Sequence, residues 1–112
     1  MAELRLRADH LAELRRLIAK YLPQSEVRAF GSRVTGTCHD MSDLDLVVID
    51  PADPTCPQGG GFGELKEALS ESNLPFLVDL LDWARIPESF RENIRRADFP
   101  VYSPPPPGTG VS

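Results

Sequence analysis

Leu4, Leu11, Leu14, Ile18 and Leu22 recur at helical spacing, with arginine and glutamate between them. That period predicts an amphipathic helix over residues 3–22, which Pro23 ends. The pattern then changes. Glu26 to Phe30 (EVRAF) reads as a short strand broken by Gly31, and SRVTG after it reads as a helical turn. Leu44 to Ile49 (LDLVVI) is the clearest strand, and Asp50 to Gly61 (DPADPTCPQGGG) has the composition of a loop. Residues 64–71 return to helical spacing, with Leu65, Ala68 and Leu69 facing inward. FLVDLL at 76–81 predicts a third strand, introduced by Pro75. Pro87 suits the first turn of a helix running to about Arg96. PVY at 100–102 fits a short edge strand, and SPPPPGTGVS beyond it is expected to stay extended or disordered.

This order predicts an α+β fold, an α/β sandwich with a small mixed sheet of about three to four strands and helices packed against it. A chain of 112 residues with 41% hydrophobic content suits one domain with a modest core. We expect that domain over residues 1–102 and a Pro/Gly-rich tail over 103–112. The formal net charge of -5 argues against nucleic acid as a general partner. No apolar run approaches the roughly 20 residues that cross a bilayer, and the N-terminal segment is charged throughout, so a cytoplasmic protein is expected. Cys38 and Cys56 form no metal-ligand spacing with His10 or His39, and no disulfide is expected in that compartment.

Asp43 and Asp45 are the residues that most need explaining. Strand side chains alternate, so the two carboxylates share a side while Leu44, Leu46 and Val48 turn to the core. Carboxylates side by side repel, and a divalent cation removes the conflict. Hard oxygen donors suit magnesium, which keeps positions for water and phosphate oxygens. Asp79 interrupts the apolar run FLVDLL in the same way. If that strand lies beside Leu44–Ile49, the three carboxylates converge as a two-metal phosphoryl-transfer site requires. Asp82 points the other way by alternation. Gly31 follows a strand, so its backbone can approach a phosphate closely. Ser32 and the amides after it can hold phosphate oxygens, and Arg33 can add a cation. GGGFG at 59–63 lacks the lysine and hydroxyl of a P-loop and reads as a flexible loop. His39 reads as a solvated loop residue, and Trp83 as packing rather than a base-stacking platform.

Gly31-Ser32, Gly36 and then Ser42-Asp43-Leu44-Asp45-Leu46, with Asp79 on a later strand, resemble the nucleotidyltransferases of the DNA polymerase beta superfamily. The length and PFLVDLLDW look most like the minimal nucleotidyltransferases, antitoxins paired with a helical HEPN-domain toxin. The resemblance spans about residues 10–102. It implies a nucleotidyltransferase fold, with Asp43, Asp45 and Asp79 as catalytic and metal-binding residues for two magnesium ions. It places Gly31, Ser32, Arg33 and Ser42 on ATP. Arg33 matches the first arginine of the Gly-Ser-Arg-Ala-Arg-Gly form of small members, and Thr35 stands where the second would be.

The implied reaction is transfer of AMP from ATP to a hydroxyl, a tyrosine of the HEPN toxin in the resembling pair. After the core elements only a proline-rich tail remains, so the acceptor must come from another chain or a second copy of this one. Transfer to a small molecule such as an aminoglycoside, with a homodimer building the pocket, is the alternative within the same chemistry; transfer to RNA comes after it. A binding module that neutralises its partner by contact, without catalysis, is the alternative from another class.

Overall fold

The computed structural model describes residues 6–31 and 43–104. The first helix, α1, spans Ala8–Tyr21 and starts later than the leucine spacing suggests. Arg7 is extended and its side chain closes on Asp9 (Nε to Oδ1 3.1 Å), while Asp9 lies in the first turn, where an anion suits the helix dipole. Leu14, Leu17 and Ile18 form its buried stripe. Strand β1 (Glu26–Phe30) follows, then β2 (Leu44–Ile49). Helix α2 covers Phe62–Glu71, strand β3 Val78–Asp82, helix α3 Glu88–Arg96 and strand β4 Phe99–Tyr102. A single 3-10 turn, Trp83–Arg85, separates β3 from α3 and had no signal in the periodicity.

The four strands form one mixed sheet in the order β3-β2-β1-β4. β1 runs antiparallel to β2 and to β4, whereas β2 and β3 are parallel. A parallel pair needs a long crossover, and the loop after β2 together with α2 supplies it. The α+β expectation holds, including the edge strand at 99–102.

Helices α1 and α2 cover one face of the sheet. Leu44, Leu46 and Val48 of β2 and Val27 and Ala29 of β1 meet Leu14, Ile18, Leu65 and Leu69 there. Val47 is fully buried although alternation turns it to the other face. There it packs with Trp83 and Ile94, flanked by Phe30, Ile49, Leu81 and Ile86. The sheet is thus covered on both sides, but α3 and the 3-10 turn shield only part of the second face.

The glycine run at 59–63 departs from the flexible-loop expectation at its far end. Gly61, at φ +96°, starts α2, and Glu64 Oε2 accepts a hydrogen bond from its amide at 2.6 Å. A Cβ there would strike Tyr21 O and come within 2.9 Å of Leu22 Cδ2. The glycine therefore lets the start of α2 press against the end of α1. Pro87 precedes α3 as its cap rather than entering the first turn, and its carbonyl accepts from Phe90 N and Arg91 N at 3.0 and 3.1 Å.

Candidate active site

The parallel register pairs Leu44 with Val78, Asp45 with Asp79 and Leu46 with Leu80. Paired residues on adjacent strands project to one side, so Asp45 and Asp79 are neighbours on the second face. Asp43 lies one residue before β2, on the parity of Asp45. Leu44 N donates to Leu77 O at 2.8 Å, which ties the entry of β2 to the entry of β3. The structure thus brings together the three aspartates singled out in the sequence, at the open end of the face that α3 covers only in part.

Their electrostatics follow from that placement. Asp43 and Asp79 are exposed, and Asp45 is partly buried between them. Burial pushes the Asp45 carboxyl above its ordinary range, and the charges of Asp79 and then Asp43 push it further the same way. No described hydrogen bond or ion pair offsets this.

On its other side Asp45 faces β1, where it pairs with Phe30. Gly31 comes next, at φ +83°. A Cβ on Gly31 would collide with Asp45 Oδ2 and lie 3.4 Å from its Cγ. Glycine adopts that φ without strain, and any side chain there would have to displace this carboxylate. Gly31 therefore belongs to the site's geometry. Ser32, Arg33, Thr35, Gly36, Cys38, His39 and Ser42, the turn at SRVTG and residues 105–112 of the tail lie outside the described residues.

A cavity of about 570 Å³ borders Asp43 at the β3 end of the site. Lys66 and Ser70 of α2 and the segment Leu74–Val78 line it. Lys66 carried no signal in the sequence, because one lysine on a solvated helix face looks like any other until the fold sets it on the wall of a cavity that Asp43 also borders. Among the described residues, no group of three or more carboxylate, histidine or cysteine side chains is placed to hold a metal ion as it stands.

Two neighbours of the site behave as the sequence suggested. Asp82 lies on the opposite side of β3 and is 6% exposed. Its carboxylate accepts from Gln58 N at 2.8 Å, Ala84 N at 3.2 Å and Arg85 Nε at 3.2 Å, which is structural work. Trp83 is buried against Val47 and Ile94, with the Arg91 and Arg95 guanidinium groups 5.7 and 5.0 Å from its ring centre.

Comparison with known proteins adds the family context. The family defined by the central palm domain of mitochondrial-like poly(A) RNA polymerase matches residues 1–101. The probable protein adenylyltransferase MntA of Haemophilus influenzae is 44% identical over 97 residues, which is 85% of this chain and 81% of that protein. Two solved structures share the fold. One is a toxin–antitoxin with AMP-PNP, at TM-score 0.65 and 20% identity, covering 87% of this chain and 74% of that one. Another is the MntA–HepT toxin–antitoxin, at TM-score 0.62 and 16% identity, covering 87% and 73%.

Proposed function

This chain belongs to the minimal nucleotidyltransferases of the DNA polymerase beta-like superfamily, and from that premise we propose that it adenylylates a tyrosine of a HEPN toxin and so acts as its antitoxin. The observation that carries the proposal is the in-register pairing of Asp45 with Asp79, with Asp43 close by and the Gly31 backbone against Asp45. A fold of this kind brings aspartates together at some energetic cost, and the cost is explained if the charges are used.

The donor set fits magnesium. Two or three carboxylates on one face, without nitrogen or sulfur donors, suit a hard cation that takes one or two carboxylates and completes its shell with water and substrate phosphates. Asp43 and Asp45 would hold such ions, and Asp79 would share the one nearer the acceptor. When bound, the ions would acidify the acceptor hydroxyl and offset charge on the phosphates. The protein's own part is placement. Gly31 admits the triphosphate close to the carboxylates, and Ser32, Arg33 and Ser42 complete the phosphate contacts. Asp79, on the edge strand β3, faces the side from which an acceptor hydroxyl can reach the α phosphorus in line with the departing pyrophosphate. We place the protein in the cytoplasm, with residues 1–102 as the catalytic domain. No helix among the described residues is long and apolar enough to cross a membrane.

The test is incubation with labelled ATP and magnesium, with and without the small helical partner, followed by intact mass. One or more AMP units should appear on the partner. Asp43→Asn should slow this by roughly a hundredfold or more, the scale of losing one preorganised charge-stabilising group. Tight binding of the partner with no mass gain would sink transfer in favour of neutralisation by contact. Modification of an aminoglycoside with no partner present would redirect the reading to small molecules.

A further inference from the structure

Across the sheet, the row through the site reads Asp79, Asp45, Phe30. Adjacent strands lie about 4.8 Å apart, so Phe30 is one strand spacing from the central carboxylate. It projects to the same face, where it packs beside Val47 and Trp83. Helix α3 sets a second ring against it. Phe90 meets Phe30 edge to face, with centroids 5.7 Å apart and planes at 89°.

Phe90 differs from an ordinary core ring in two respects. It is 38% exposed, one of two large apolar side chains so exposed among the described residues. It is also held firmly. Its amide donates to Pro87 O, and the next residue, Arg91, donates from Nε to Trp83 O at 2.9 Å and pairs with Glu88 at 3.2 Å. The helix is thereby fastened to the 3-10 turn after β3, and Phe90 is set against Phe30 at the β1 end of that row.

We propose that the open face of Phe90, backed by Phe30, is the stacking platform for the base of the nucleoside triphosphate. This rests on the transferase reading above and adds to it a subsite for the nucleoside. In an in-line displacement the acceptor and the leaving pyrophosphate occupy opposite ends of the reacting axis. Asp79 marks the acceptor side, and Phe30, with Gly31 directly after it, lies on the opposite side of Asp45. Along the face that carries Asp45, the flanking element is α3, and Phe90 is its exposed aromatic residue. Beneath it, Phe30 packs on the apolar group of Val47, Trp83 and Ile94. Such a surface recognises the flat face of a base rather than its hydrogen-bonding edge, so it supplies affinity with little discrimination between bases.

The experiment compares calorimetric binding of ATP with that of inorganic tripolyphosphate, both with magnesium, to the full chain. Wild type should bind ATP roughly tenfold more tightly, the scale of one base–aromatic stack. Phe90→Ala should bring ATP close to tripolyphosphate while leaving tripolyphosphate unchanged, and Phe90→Trp should retain the difference. Circular dichroism and thermal melting establish that each variant is folded; because Phe90 is partly exposed, Phe90→Leu provides a second ring-free variant with its apolar bulk kept, expected to behave as Phe90→Ala. If Phe90→Ala and Phe90→Leu bind ATP as wild type does, the platform is refuted and the transferase reading stands. Equal weakening of both ligands would also refute it, because the ring would then be shaping the phosphate site. If wild type binds neither ligand, the transferase reading itself fails, and the platform with it.

Discussion

At Asp45 three effects point the same way: burial, the charge of Asp79 and the charge of Asp43 all favour its neutral form. Its pKa in the folded chain therefore lies above the ordinary 3.8. Below that ordinary value the carboxyl is neutral in both states and costs nothing. As pH rises through the folded value the buried form must ionise, so this group's contribution to stability falls. In metal-free buffer, Asp45→Asn should thus melt higher than wild type at pH 7, with the gap closing toward pH 3.5, while AMP transfer is lost. Thermal melts across that range decide it. A variant that melts lower than wild type at pH 7 would mean that the carboxylate is held by contacts rather than strained by its neighbours. A residue that lowers stability where it stands is usually retained for what it does.

On one element, β3, two aspartates three residues apart have opposite fates. Asp79 faces the site and makes no described hydrogen bond. Asp82 is buried and fastens Gln58 of the crossover loop and Ala84 of the 3-10 turn to the strand end. Removing its carboxylate leaves those amides without a partner, at a cost of about 1–3 kcal/mol. Asp82→Ala should therefore lower the urea midpoint by that equivalent yet keep AMP transfer within about twofold of wild type under conditions where both are folded, as expected for groups that do not touch the reacting atoms. Asp79→Asn should do the reverse. If Asp82→Ala abolished transfer without loss of stability, the division of β3 into a site face and a structural face would be wrong.

For the whole molecule, the site joins segments far apart in sequence: the end of β1, the start of β2, the start of β3 and, by the platform proposal, α3. A ligand that touches several of them binds the folded chain and not the unfolded one. Saturation with ATP and magnesium at a hundredfold above the dissociation constant should then stabilise the fold by about 2.7 kcal/mol. That appears as a rise of several degrees in melting temperature, reversed by EDTA. The double variant Asp43→Asn, Asp45→Asn should show no rise, and an equal rise in that variant would place the nucleotide elsewhere.

The chain's own pattern determined the elements and the faces on them. Period 3.6 marks the buried stripe of α1. Period 2 puts Asp43 and Asp45 on one side of their strand and sets Asp79 apart from Asp82. Those facts are local, because backbone geometry alone assigns a side chain to a face. The tertiary structure decided which strands are neighbours and in what register. The parallel alignment of β2 with β3 sets Asp45 against Asp79, and a slip of one residue would have sent Asp79 to the core. It also decided that Val47 is buried on the second face, that Gly31 lies against Asp45, that Gly61 starts a helix and that Phe90 rests on Phe30. Each depends on the docking of elements distant in sequence, and no local periodicity encodes the distance between them.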